Sequence, residues 1–342
     1  MSDFNPNNVG VANGSYFALP YSFSESKTIL ISVPWDVTVS YGKGAAEGPA
    51  AIMESSTQVD LFDERISDCW ETKIATVKTE DTIAELNKST GAIASNIIEA
   101  LEAGASEESQ SALLSVVNEE SVRLNSYVYA MSDELMKQGK LVGLVGGDHS
   151  TPLGSIKAVG ENVGDFGILH LDAHADLRNA YEGFTYSHAS IMYNTLKEVP
   201  QLSSLVQVGI RDYCEDEMNI IKTDERITLF SDFEMKKALY KGENWDKICD
   251  NIIAALPSKV YVSFDIDVLS PENCPGTGTP VPGGLSYSQV DYLLYKLYES
   301  GKQIVGFDLV EVSPTLGGEI NGNIGARILY RLAVFATRSN KF

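Results

Sequence analysis

The chain has 342 residues, 44% of them apolar and 21% charged, with 28 glycines and 12 prolines spread along it. That composition is globular and excludes a disordered, collagenous or low-complexity protein. Lysine and arginine number 26 against 47 aspartates and glutamates, a net charge of −21 that repels nucleic acid and anionic membranes and so removes both as expected partners.

No stretch approaches the ~20 uncharged apolar residues of a membrane span, and the opening MSDFNPNNVG lacks a signal-peptide pattern. Cys69, Cys214, Cys249 and Cys274 lie far apart without CxxC spacing, so free thiols in a reducing, cytoplasmic setting are expected.

Eight short apolar runs rich in β-branched residues follow one another: Thr28–Val33, Lys73–Val77, Leu141–Gly146, Phe166–Leu171, Leu205–Ile210, Ile227–Phe230, Lys259–Phe264 and Ile304–Leu309. Most are hydrophobic almost throughout, as strands covered on both faces are. Segments with helical spacing alternate with them, among them Trp245–Leu256, Ser286–Ser300 and Asn323–Ala336. This alternation predicts an α/β protein with a mostly parallel sheet between helices. The longest connection carries two helical stretches, Thr82–Leu101 and Glu107–Lys137, separated by AGAS. They predict a helical hairpin at about residues 80–138 inside one domain spanning 1–342, since no linker composition interrupts the chain.

All four histidines fall between positions 149 and 188. His149 lies in GGDHS after the third strand, and His170 and His174 lie in HLDAHAD at the end of the fourth. His188 follows in YSHAS, Asp265 and Asp267 end the seventh strand in SFDID, and Glu311 follows the eighth in EVSP. Ligands bind outside the carboxyl ends of parallel strands, so these scattered residues are expected to meet. Asp172, His174 and Asp176 alternate along an extended segment and can share a face, as can Asp265 and Asp267.

Five carboxylates converging in a crevice need compensating cations, and two divalent ions supply about four charges. Oxygen and imidazole donors without thiolate favour Mn²⁺, with Ni²⁺, Co²⁺ or Zn²⁺ as alternatives, over Mg²⁺. His170, inside the apolar strand, reads as a buried structural histidine rather than a ligand.

GGDHS, HLDAHAD, SFDIDVLSPENCPGTGTPVPGGLS and EVSP, in that order, resemble the signature blocks of the ureohydrolases, the arginases, agmatinases and their relatives. SVPWD…GKGAAEGPAAI is similar to that family's first strand, loop and helix. The resemblance implies a three-layer α/β/α fold on an eight-stranded parallel sheet and hydrolysis of a guanidino group to urea and an amine. It implies two Mn²⁺ ions, one held by His149, Asp172, Asp176 and Asp265, the other by His174, Asp172, Asp265 and Asp267. Asp176 and His188 are the implied proton carriers, Glu311 the partner of the guanidinium, and a homotrimer or homohexamer the implied assembly.

Substrate choice rests on fewer residues. Arginases carry Asn two residues after the last Asp of DxHxD, where this chain has Arg178, and DAHADLRNAYEGFTYSHAS looks like one group of agmatinases. Agmatine is therefore the expected substrate, with Glu182 facing its distal ammonium. Arg178 either recruits a carboxylate, as an arginase or another guanidino-acid hydrolase would need, or pairs with Glu182. Deacetylase-like amidohydrolases resemble the fold but use one zinc and a His-His pair that this chain lacks. A homologue that keeps metal without catalysis is opposed by the intact ligand set together with His188 and Glu311.

Overall fold

Hydrophobic runs that continue through successive residues have side chains pointing both up and down, so each strand needs cover on two faces. The computed structural model, which describes residues 4–78, 81–315 and 317–340, meets that need with helices on both sides of one sheet. In chain order the elements are β1 (Thr28–Val33), α1 (Gly48–Ser56), β2 (Ile74–Val77), α2 (Asp81–Glu102), α3 (Ser111–Lys137), β3 (Leu141–Gly146), α4 (Leu153–Val163), β4 (Phe166–Leu171) and α5 (Ile191–Glu198). There follow β5 (Leu202–Val208), α6 (Glu215–Thr223), β6 (Ile227–Phe230), α7 (Asp232–Tyr240), α8 (Trp245–Ala254), β7 (Lys259–Asp265), α9 (Tyr287–Glu299), β8 (Gln303–Val310) and α10 (Ile320–Ser339). No helix among the described residues is long and apolar enough to cross a membrane.

The eight strands run parallel in the order β2-β1-β3-β8-β7-β4-β5-β6. Alternation along β1 shows how the layers form. Leu30 joins the apolar cluster under α1, α8, α9 and α10, whereas Ile29, Ile31 and Val33 join the cluster under α2 and α3. A third cluster places Ile168, Leu205 and Tyr261 beneath α4 and α5. Each fully buried Leu or Ile contributes on the order of 1.5–3 kcal/mol, so the central strands are the fold's anchor.

The hairpin of α2 and α3 belongs to this covering layer, with Ile97, Val117 and Leu124 packed toward β1 and β3. The segment expected as one helix over 107–137 opens with a 3₁₀ turn, Glu107–Gln110, capped by the Ser106 side chain, before α3 begins.

Two glycines shape the edge where the candidate residues sit. A Cβ on Gly147 would lie 1.9 Å from the Trp35 carbonyl oxygen, so only glycine lets the loop carrying His149 cross the exit of β1. Gly209 has φ +97° and ends β5 at Val208, two residues before the end expected from hydrophobicity. That strand also starts earlier, at Leu202, because Leu202 pairs with Phe166 ahead of a register shift at which β5 carries one extra residue, Ser203.

Candidate metal centre and substrate cavity

The candidate residues emerge from strands that are neighbours in the sheet. His149 follows β3, Glu311 follows β8, Asp265 and Asp267 end β7, and Asp172, His174 and Asp176 follow β4. Since β3, β8, β7, β4 and β5 are consecutive in the sheet order, their carboxyl ends form one continuous rim. Residues separated by some 160 positions in sequence are thereby brought together.

His149 is the hub of one half. Its Nδ1 lies 2.9 Å from Asp172 Oδ2, 3.2 Å from Asp265 Oδ2 and 3.3 Å from Asp176 Oδ2, all buried. His174 is the hub of the other, with Nδ1 2.9 Å from Asp267 Oδ2 and 3.5 Å from Asp172 Oδ1. Asp172 therefore reaches both halves, one oxygen to each. Asp265 Oδ1 accepts the Asp267 backbone N–H at 2.8 Å, and Asp267 Oδ1 accepts that of Ala173 at 2.9 Å. Asp267 Oδ2 is buried with no donor aimed at it, although the His174 ring nitrogen faces it.

Two buried chains hold the imidazoles from behind. His149 Nε2 is 2.9 Å from Ser263 Oγ, which donates to Asp308 Oδ1 at 3.1 Å. With Asp308 accepting, the serine oxygen takes the Nε2 proton, and Nδ1 is the ring atom turned to the carboxylates. His170 Nε2 lies 2.8 Å from Asp172 Oδ2, and Gln207 Nε2 donates to His170 Nδ1 at 3.1 Å. The amide thus places the His170 proton on Nε2, where it donates to Asp172. His170 sits close enough to count geometrically with the ligands, but this tautomer makes it a support, as the sequence suggested.

The electrostatics of the cluster favour added positive charge. Burial opposes the imidazolium of His149, yet Asp172, Asp265 and Asp176 hold its pKa well above the ordinary value. His174 is likewise carried to about 12 by Asp267 and Asp172 against the effect of burial. Burial pushes Asp265 and Asp176 up, and neighbouring carboxylates add to it. A donor set of buried carboxylate oxygens and ring nitrogens, with Asp267 Oδ2 facing only the His174 ring, fits divalent cations in both halves.

Backbone strain accompanies these residues. Asp176 (φ 56°), Glu182 (φ 53°) and Glu311 (φ 62°) take left-handed conformations, each at a cost of about 1–3 kcal/mol. Asp176 is held by Met192 and Tyr193 N–H groups donating to its carbonyl, and Glu311 by its own N–H donating to Gly147.

Above the cluster lies a cavity of about 220 Å³, walled by His149, His174, Asp176, Asp265, Glu311 and His188 at its floor and side. Glu311 Oε1 accepts the His149 backbone N–H at 2.9 Å. Its carboxyl is pushed up by burial and by nearby Asp148. His188 is half-buried with Thr38 Oγ1 3.4 Å from both its backbone N and its Nδ1, and burial lowers its pKa to about 4. The cap of the short turn at His188–Ser190 is the Ser187 side chain, which accepts from Ala189 N–H, so His188 itself is not spent on capping.

The sequence profile of the Arginase family matches residues 26–334. The chain belongs to the arginase family. It is 33% identical over 294 residues to an N(1)-aminopropylagmatine ureohydrolase of Thermus thermophilus, covering 85% of this chain and 84% of the relative. It is 30% identical over 296 residues to an agmatinase of Bacillus anthracis, covering 86% of each. In fold it is similar to the proclavaminate amidino hydrolase of Streptomyces clavuligerus, with TM-score 0.73, 24% identity and coverage of 97% and 99%. The agmatine ureohydrolase of Thermoplasma volcanium gives TM-score 0.71 at 23% identity, over 94% of each chain. The chain is thus an arginase-family ureohydrolase, acting on guanidino C–N bonds, and the three-layer fold on eight parallel strands expected from sequence is present.

Two expectations about this arginase-family site need correction. Glu182 is not part of the cavity wall: its Oε2 is buried without a donor, and burial together with Glu102 of α2 raises its pKa. Arg178 does line the cavity but pairs with Glu217, at 3.8 Å, rather than with Glu182, and its guanidinium lies 4.9 Å from the centre of the Tyr181 ring. The residues that sequence reasoning missed are Asp212, Tyr213 and Glu217, which follow β5 on the same rim. The strand-end rule that found the other ligands applies equally to RDYCEDE, but no histidine there drew notice.

Proposed function

We propose that this ureohydrolase cleaves agmatine to putrescine and urea at two Mn²⁺ ions, with Ni²⁺ or Co²⁺ as substitutes. One ion is assigned to His149, Asp172, Asp176 and Asp265, the other to His174, Asp172, Asp265 and Asp267. When bound, the pair supplies Lewis acidity and lowers the pKa of a water for attack at neutral pH.

The remaining work falls to the side chains. Glu311, anchored through Oε1 by the His149 N–H, presents Oε2 to the guanidinium and orients its carbon over the cluster. Asp176 holds the proton released by the attacking water. His188, neutral near pH 7, carries a proton to the departing amine.

The observation that carries the substrate choice is a charge balance. The four ligand aspartates offset about four metal charges. Of the other wall residues, Asp212, Glu217 and Glu311 are acidic and Arg178 is basic. Three acidic side chains against one basic one leave a wall that suits a dication, whose guanidinium would favour the ionised form of Glu311. Arg178 is already engaged by Glu217 and Tyr181, which argues against its capturing a substrate carboxylate.

A longer cation, N(1)-aminopropylagmatine, is the second reading. It is favoured by the aromatic rim, where Tyr41 is 83% and Tyr213 38% exposed beside exposed Asp212.

The test is urea release from protein stripped with chelator and reloaded with Mn²⁺, on agmatine, N(1)-aminopropylagmatine, arginine, guanidinobutyrate and free guanidine. Agmatine is expected to have the highest kcat/KM, and the stripped protein none. Asp212→Asn should raise KM for agmatine by about fivefold with kcat nearly kept, as loss of one exposed charge of ~1 kcal/mol implies. A preference for arginine or guanidine overturns the substrate, and full activity in chelator overturns the metal reading.

A further inference from the structure

Arg211 lies just beyond β5 and makes no ion pair among the described residues. Its guanidinium is instead satisfied by four backbone carbonyls. Nη2 donates to Asp267 O at 2.7 Å, to Val281 O at 3.1 Å and to Leu269 O at 3.3 Å; Nη1 donates to Gly209 O at 3.1 Å and Nε to Val281 O at 3.3 Å. The same residue's backbone N–H donates to Ala173 O at 2.7 Å, and the next, that of Asp212, to the same oxygen at 3.1 Å. Room for the guanidinium is made by Gly284, where a Cβ would stand 2.9 Å from Nη2.

These contacts form a closed triangle. Ala173, between Asp172 and His174, is bound through its carbonyl to the Arg211 main chain and through its N–H to Asp267 Oδ1. The Asp267 carbonyl is in turn bound to the Arg211 side chain. We propose that Arg211 is a positioning residue that sets the spacing between the Asp172–His174 loop and the Asp267 turn, so that the ion assigned to His174 and Asp267 is held through it. The other half of the site, built on His149 and Asp176, meets this triangle only through the shared Asp172 carboxylate and through Asp265, which accepts the Asp267 N–H. Arg211 makes no contact with His149 or Asp176. A fixed planar fork is needed because the carbonyls lie on different sides of the guanidinium. A lysine ammonium at the same place reaches one side only.

This inference rests on the binuclear reading above, and its test separates the two. Wild-type protein, Arg211→Lys and Arg211→Gln are stripped with chelator, titrated with Mn²⁺ against a competing indicator, and analysed for retained metal after gel filtration. Wild type is expected to bind two ions. Both variants should weaken the ion assigned to His174 and Asp267 by about 10–100-fold, the range seen when supports of metal ligands are lost, while the ion assigned to His149 is much less affected. Because four carbonyls lose a donor, the thermal midpoint of the metal-free variants should fall by a few degrees, but a purely structural role would not single out one of the two ions.

Wild type binding fewer than two ions overturns the binuclear reading itself. Wild type binding two, with both affinities unchanged in the variants, overturns the role of Arg211 alone. Equal weakening of both ions, or failure of both variants to fold, assigns Arg211 to the fold and likewise overturns it.

Discussion

Ser263→Ala removes one hydroxyl from the buried chain His149 Nε2–Ser263 Oγ–Asp308 Oδ1, whose links measure 2.9 and 3.1 Å. Asp308 keeps the Phe264 N–H at 3.1 Å, so its carboxylate loses one of two donors to Oδ1. The His149 Nε2–H loses its acceptor entirely. A buried donor left unpaired costs about 1–3 kcal/mol. His149 escapes that cost by moving its proton to Nδ1, where Asp172 lies 2.9 Å away.

That proton then occupies the lone pair the first ion needs, and the cost reappears as lost metal affinity. At 1.4 kcal/mol per tenfold, the expected weakening is about 5–150-fold for the ion on His149. The ion on His174 and Asp267 keeps its affinity. The assay is the same competitive Mn²⁺ titration, followed by urea release as Mn²⁺ is raised, where activity should return at saturation. Combination with Arg211→Lys should weaken both ions, with the free-energy losses adding to within about 0.5 kcal/mol for independent sites. Unchanged binding of both ions in Ser263→Ala would refute the chain's role, as would a loss confined to the second ion.

His188→Asn should lower kcat by on the order of a hundredfold, the scale of general acid–base catalysis, with metal content unchanged; equal turnover would remove His188 from the reaction. The His188 pKa, depressed by burial to about 4, also fixes a sign. Between about pH 4 and 6.5 the unfolded chain binds a proton at this position that the folded chain does not, so stability falls as pH drops through that window. The asparagine variant should show a shallower acid limb in its unfolding midpoint, and an unchanged slope would count against the assignment. For assembly, the large rings of Phe62, Phe233 and Tyr240 stand 75%, 71% and 84% exposed on the single chain. Sedimentation at micromolar concentration should give a trimer or hexamer, and a monomer alone would refute it.

What was legible in the sequence follows from what parallel sheets constrain. Strands buried on both faces must be hydrophobic throughout, so β3, β4 and β7 stand out. Once their ends are known, the residues just beyond them are placed on one rim. That is why the sequence alone places His149, Asp172, His174, Asp176, Asp265, Asp267 and Glu311 on one rim, where the structure has them.

Alternation along DxHxD was a poorer guide. Asp176 turns into a left-handed conformation, so it and Asp172 meet His149 while His174 meets Asp267. The Glu182 expectation failed for the same reason. Glu182 and Gly183 have successive positive φ values of 53° and 79°, and two such residues reverse a side chain's direction in a way residue spacing does not encode.

The pairing of Arg178 with Glu217 and the Arg211 triangle depend on β5, whose end is set by Gly209 and not by the last apolar residue of its run. Hydrophobic patterning locates a strand but leaves its terminus to the first residue that cannot continue extended. In this fold the terminus decides which polar residues face the cavity. Asp212 and Glu217, on the cavity wall, therefore lay in the part of the sequence where the pattern was least informative, while the clustered His and Asp residues lay where it was strongest.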